Sequence, residues 1–203
     1  SMPATIGMVV MALYNIIDTI FVGQGVGAVA IGGLAIVFPI QMLINSVALT
    51  IGIGGASIIS RALGAGKKEY ADNTFGNLVS LVLFLSLLLT PAVYFFSDVI
   101  LKIFGAKGDI FTYAKDYFSI VLWSGPFVSF AMMGNNIIRS EGNAKVAMQT
   151  MLVGAIVNLI LDPILIFGLD MGIKGAAWAT FTSHISAATF VLLYFLSGKS
   201  SLR

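Results

Sequence analysis

Six long apolar stretches run through this chain and restrict its folding more than any other feature. They cover residues 3–22, 31–63, 78–104, 118–138, 146–167 and 175–195. A helix needs about 20 mostly apolar residues to cross the hydrocarbon of a bilayer. Each stretch meets that length. The second and third exceed it, which predicts tilt or extension past the membrane. Strands are excluded because the runs are too long and lack sustained period-two alternation. Composition speaks against a soluble domain. Of 203 residues, 58% are hydrophobic and 10% charged, against about 25% charged in ordinary soluble domains. Water would aggregate such an exterior, whereas lipid covers it. The expected fold is an all-α membrane protein, a six-transmembrane-helix bundle forming one domain over residues 1–203.

The expected connections, residues 23–30, 64–77, 105–117, 139–145 and 168–174, are short and rich in Gly and charge. A net charge of +2 is too small to argue for nucleic acid. The absence of cysteine excludes a thiolate metal site or a disulfide frame. Ser1-Met2 reads as a scar of tag cleavage, and no signal peptide is recognisable. An even number of spans puts both termini on one side. Arg61, Lys67, Lys68, Arg139, Lys145, Lys199 and Arg203 fall there, against Lys102, Lys107, Lys115 and Lys174 opposite. The positive-inside rule then predicts cytoplasmic termini.

Most acidic residues occupy loops or helix ends, where solvation is easy: Glu69, Asp72, Asp98, Asp109, Asp116, Glu141 and Asp170. Asp18 and Asp162 do not. Each lies about sixteen residues from the cytoplasmic end of its span, roughly 24 Å along the axis. An ionised Asp at mid-helix costs about 2.5–3.5 kcal/mol on insertion scales. A residue that costly faces the protein interior and acts there. A carboxylate shut away from water is neutralised by a proton or, given further oxygen ligands, by a hard cation. Asn158 stands four residues before Asp162 on the same helix face. Thr180 and Thr182 offer hydroxyls. Pro163 removes a backbone donor and so frees a carbonyl near Asp162. Together these are the parts of a Na⁺ or H⁺ site, with no other cofactor expected.

Other polar groups within spans are Tyr14, Asn45, Asn135, Asn136 and His184. His184 reads either as a satisfied neutral residue or as a proton relay. Met8, Met11, Met132, Met133, Met148 and Met151 fill a core or line an adaptable pocket. Gly52, Gly54 and Gly55 signal close helix packing or an unwound hinge. Asn15…Asp18…Gly23 also echoes Asn158…Asp162…Gly168, which reads as an old parallel repeat or as chance.

The run from Pro3-Ala4-Thr5-Ile6-Gly7 to Leu13-Tyr14-Asn15-Ile16-Ile17-Asp18-Thr19-Ile20-Phe21-Val22-Gly23 resembles the first helix of the multidrug and toxic compound extrusion (MATE) family. Arg61–Lys67 and Arg139–Lys145 resemble two of its loops. Asn158-x3-Asp162-Pro163 followed by Gly172-x2-Gly175-Ala176-Ala177-Trp178-Ala179-Thr180 resembles its fifth and sixth helices. The likeness covers nearly the whole chain and is strongest to the prokaryotic, SOS-linked (DinF-like) branch. It implies an exporter of cationic and amphipathic small molecules, driven by inward Na⁺ or H⁺, in the plasma membrane. It implies a coupling site of Asp18, Asn158, Asp162 and Thr180, cavity positions at Tyr14, Tyr117, Asn135 and Met151, and a bend in helix one at Pro3. It also implies one lobe of a twelve-helix transporter. The expected partners are therefore lipid, drugs, and a C-terminal lobe or a second copy of this lobe. No enzymatic activity is implied. Three other readings stand beside it: a lipid-linked oligosaccharide flippase of the same superfamily, an intramembrane aspartyl protease, and a non-transporting membrane module. The absence of mid-span Arg or Lys speaks against the first. Ile17 before Asp18 and Ile160-Leu161 before Asp162 depart from the protease motifs.

Overall fold

The structure, a computed structural model, describes residues 2–202, apart from the side chains of residues 3, 4 and 8. Every regular element in it is helical. The order is α1 (Met2–Gly25), α2 (Ala28–Gly64), α3 (Lys68–Phe95), α4 (Ser97–Ile103), α5 (Gly108–Val121), α6 (Gly125–Ser140), α7 (Ala144–Pro163) and α8 (Gly172–Leu196). A 3₁₀ turn, Leu122–Ser124, joins α5 to α6, and a π-helical segment, Ile164–Gly168, extends α7. Hydrocarbon supplies no hydrogen-bond partner, so spanning backbone must satisfy itself by winding into helices. Six segments are long and apolar enough to cross a membrane: Thr5–Gly25, Ala28–Gly64, Lys68–Phe95, Gly108–Ser140, Ala144–Gly168 and Gly172–Leu196.

The helices differ from the apolar stretches at their ends. The third stretch, 78–104, is not one span. Its helix α3 begins at Lys68, and the backbone breaks at Phe96 before the seven-residue α4. Residues 64–77 and 105–117, expected as connections, are mostly helical, because α3 starts at Lys68 and α5 at Gly108. Hydropathy marks where a helix lies in lipid, and polar turns continue the same helix beyond it. The connections that remain are tight. At the end of α2, Gly66 takes φ 71°, Lys67 N–H donates to Ala62 O at 2.9 Å, and Gly66 N–H donates to Leu63 O at 3.1 Å. This left-handed glycine turn satisfies carbonyls that would otherwise be orphaned. Gly142 closes α6 the same way, at φ 88°.

Helix α7 packs between α1 and α8, while α2 lies against α5 and α6. One apolar cluster, including Val22, Val37, Phe118, Ile166 and Ala176, fills the end of the bundle near the α1–α2 turn. A second, including Ile59, Ala71, Met133 and Ile137, fills the opposite end. The chain after α8 folds back and buries Leu202 in this second cluster. Glu141 holds that tail, accepting from Ser200 Oγ and from Ser201 N–H, each at 2.7 Å. Of the clustered glycines, Gly52 and Gly55 serve close packing within an unbroken helix, and Gly54 faces open space. A Cβ at Gly52 would lie 3.1 Å from Met133 Cα, and one at Gly55 would strike Leu78.

Candidate functional site

Four elements deliver the polar groups at the centre of the bundle. Asp18 comes from α1, Asn158 and Asp162 from α7, Tyr117 from α5 and Thr180 from α8. Asp162 sits where α7 changes winding. Pro163 follows it without a backbone N–H, and Leu169 N–H then reaches back five residues to Ile164 O at 2.9 Å. Such π turns are frequent at functional sites. The segment is pinned from two sides. Phe21 of α1 meets Phe167 edge-on at 6.1 Å between ring centroids, and Gly175 of α8 lets the two backbones touch.

Water does not reach the group freely: Asn158 and Asp162 are 0% exposed, and Asp18 and Thr180 are each 7% exposed. The carboxyl groups of Asp18 and Asp162 lie close enough to interact directly. Carboxylates only accept, so contact between the two calls for a proton or a cation between them. Asn158 Nδ2 is the amide donor facing the group. It lies 3.5 Å from Asp162 Oδ1 and 3.5 Å from Thr180 Oγ1, too far to satisfy either well. The Tyr117 hydroxyl lies 3.2 Å from Thr180 Oγ1. Three buried oxygens remain without any partner: Asp18 Oδ1, Asn158 Oδ1 and Asp162 Oδ2. An unpaired buried acceptor costs about 1–3 kcal/mol. Native proteins keep few of them, and three in one cluster call for a shared partner such as a water, a proton or a cation. The donor set is all oxygen, from two carboxyls, an amide and a hydroxyl. That chemistry fits a hard monovalent cation or a second proton and offers nothing to a soft metal.

Other expected residues fall elsewhere. Tyr14 is half-buried one turn before Asp18 and shares the electrostatic surroundings of Asp18 and Asp162. Tyr117, expected at the end of a connection, lies buried inside α5 and bonds to Thr180. Met151 packs against Gly7, where a Cβ would lie 2.7 Å from its sulfur. Asn135 stands apart from the carboxyl pair, with both ends of its amide in use. Its Nδ2 donates to Ala147 O at 2.6 Å, and its Oδ1 accepts from Arg139 Nη2 at 3.0 Å. Thr182 does not join the site, since its hydroxyl bonds back to Trp178 O at 2.8 Å. Nor does Asn15, which donates to Met11 O at 2.8 Å, so the echo between the two Asn–Asp pairs does not extend to geometry. The backbone at Pro3 belongs to α1, but its side chain lies outside the described residues. A further polar pair, Ser124 with His184, lay hidden in sequence because the two residues are 60 positions apart.

The model of the MatE family matches residues 3–164. The chain belongs to that family. Among MatE relatives, the multidrug export protein MepA of Staphylococcus aureus is 32% identical over 198 residues, covering 97% of this chain and 44% of its own length. A solved structure of the MATE multidrug transporter DinF-BH, determined as a ligand complex, is 47% identical, with a TM-score of 0.95, over 100% of this chain and 46% of that one. A MATE crystal structure in the bent conformation is 35% identical, with a TM-score of 0.93, over 100% of this chain and 45% of that one. This MatE chain thus spans about half the length of the relatives it matches. It is a multi-pass membrane protein with six apolar spanning helices.

Proposed function

We propose that this chain is the cation-coupling lobe of a multidrug exporter, driven by inward Na⁺ or H⁺. The observation that carries the reading is the convergence of three partnerless buried oxygens, on Asp18, Asn158 and Asp162, beside Thr180. Cation binding there neutralises buried charge and draws together α1, α7 and α8, which supply the ligands. Loss of the cation leaves like charges facing each other and favours withdrawal of α1 from α7. Movement of α1 then reshapes a cavity for cationic, amphipathic compounds, lined in part by Tyr14, Met151 and Asn135. A complete exporter needs a second six-helix lobe opposite this one, from further sequence or from a second copy. The lobe sits in the plasma membrane with both termini cytoplasmic, in keeping with the seven-to-four division of basic residues.

The test is ion binding by the purified chain in lipid nanodiscs. The wild type should bind Na⁺ saturably in ²³Na relaxation, or release a proton on cation or drug addition. Asp162→Asn and Asp18→Asn should each lose that response. A wild type that neither bound Na⁺ nor released protons, or a double Asn variant that behaved like wild type, would refute the coupling role.

A further inference from the structure

His184 is the only histidine of the chain, and the cation cluster does not use it. It stands on α8 one helical turn beyond Thr180, and its Nδ1 lies 2.6 Å from Ser124 Oγ. Ser124 belongs to the 3₁₀ turn between α5 and α6 and is 1% exposed, so water does not compete for its hydroxyl. The same oxygen lies 2.6 Å from Val121 O. A hydroxyl has one proton, and a carbonyl can only accept. At 2.6 Å the two oxygens must have that proton between them, so Ser124 donates to Val121. Ser124 Oγ is left to accept from the ring. Nδ1 therefore carries a hydrogen, and in the neutral ring Nε2 keeps its lone pair.

Nε2 has no protein partner among the described residues, and it is not one of the sealed, partnerless side-chain atoms of the bundle. His184 is partly exposed, and with Nδ1 turned to the sealed Ser124 hydroxyl, the open edge of the ring is the one that carries Nε2. Aromatic residues flank the Ser124–His184 pair at helical spacing. Phe181 precedes His184 by three residues on the same helix, Phe127 follows Ser124 by three, and the two rings meet edge-on at 6.3 Å. Trp178 packs on Phe181 at 5.3 Å. Trp178 and Phe127 are 43% and 39% exposed. A fixed acceptor beside open aromatic faces suits a ligand with an N–H donor on an apolar body.

We infer that His184 accepts a hydrogen bond through Nε2 from protonated amines that lie against Phe127, Phe181 and Trp178. The choice of amphipathic amines as the ligand class rests on the export reading above; the orientation of the ring does not. Ser124 is the positioning residue, since its hydroxyl decides which ring nitrogen is left open.

A single histidine makes the test direct. The chain, labelled with ¹⁵N-histidine in nanodiscs, should give a pyrrole-type Nδ1 and a pyridine-type Nε2. Octylammonium should move the Nε2 resonance saturably. Octyltrimethylammonium, with the same charge and chain but no N–H, should not, and calorimetry should find it about tenfold weaker or worse. His184→Asn keeps a donor for Ser124 but has no atom at the Nε2 position. It should melt like wild type and bind both amines equally. Ser124→Ala should release the ring to a mixture of tautomers. A pyrrole-type Nε2 in the wild type would overturn the inference, as would an undiminished preference for octylammonium in His184→Asn. A wild type that bound neither amine would overturn amine recognition together with drug binding by this lobe. The Na⁺ experiment on Asp162 would still read the cation site separately.

Discussion

Gly175 sets how closely α8 approaches the π segment behind Asp162, and substituting it by alanine tests whether that approach matters. A Cβ at this position would lie 2.8 Å from Leu165 C, 2.8 Å from Leu165 O and 3.0 Å from Ile166 N. Ordinary contacts between such atoms are about 3.5–4.0 Å. The obstacle is main chain, which cannot rotate aside like a side chain, so α8 must withdraw by roughly 0.7 Å to restore contact distance. Overpacking of this kind costs about 1–3 kcal/mol, roughly a 5- to 150-fold change in an equilibrium constant. Withdrawal also carries Thr180 away from Asn158, where the separation is already 3.5 Å. Gly175→Ala should therefore lower the melting temperature in detergent, followed through Trp123 and Trp178 fluorescence, and should also weaken Na⁺ binding. Gly54→Ala is the control. Nothing lies within 4 Å of a Cβ there, so it should be neutral or stabilising, by up to about 1 kcal/mol. If Gly175→Ala melted at or above the wild-type temperature, the backbone contact would not be what holds α8 in place.

Three further outcomes are expected. Asn158→Leu removes one oxygen of the cluster together with the long Nδ2 contacts to Asp162 and Thr180, so it should abolish the stabilisation that added Na⁺ gives the wild type; melts with and without Na⁺ check this. A double-mutant cycle of Tyr117→Phe and Thr180→Ala should show a coupling of about 0.5–1.5 kcal/mol in denaturant unfolding, because the two hydroxyls share one buried hydrogen bond. Glu141→Ala should release the tail that Ser200 and Ser201 tie down, raising hydrogen exchange over residues 197–202 and costing about 1.5–3 kcal/mol.

The membrane fold was legible because lipid imposes a length and a composition that apolar runs display openly. The carboxyl pair was legible for the converse reason. Asp18 and Asp162 break those runs, and a charge in hydrocarbon demands a cause. Asn158 and Thr180 followed from helix spacing and from the resemblance. What stayed hidden depends on contacts between distant segments. Tyr117 looked like the rim of a loop because the apolar run starts one residue later, yet α5 had begun at Gly108 and buries it. Apolar content also does not locate the break at Phe96, because the run resumes with Val99-Ile100-Leu101 beyond the polar Ser97-Asp98. Sequence also does not show where the Asn135 amide points, because its partner Ala147 lies across the helix pair, twelve positions on.

The π turn at Ile164–Gly168 also bears on how α7 can move. It holds one residue more than an α turn would use over the same rise. Such a surplus is a local register defect, and a defect can travel along a helix without melting it. Each residue it passes advances by about 1.5 Å and turns by about 100°. Asp162 lies two residues before the segment. Migration of the defect past it would swing the Asp162 carboxyl out of line with Asp18 while the ends of α7 stayed anchored. The contacts of Phe21 and Gly175 that pin the segment are therefore also what would hold such a screw-like motion in check.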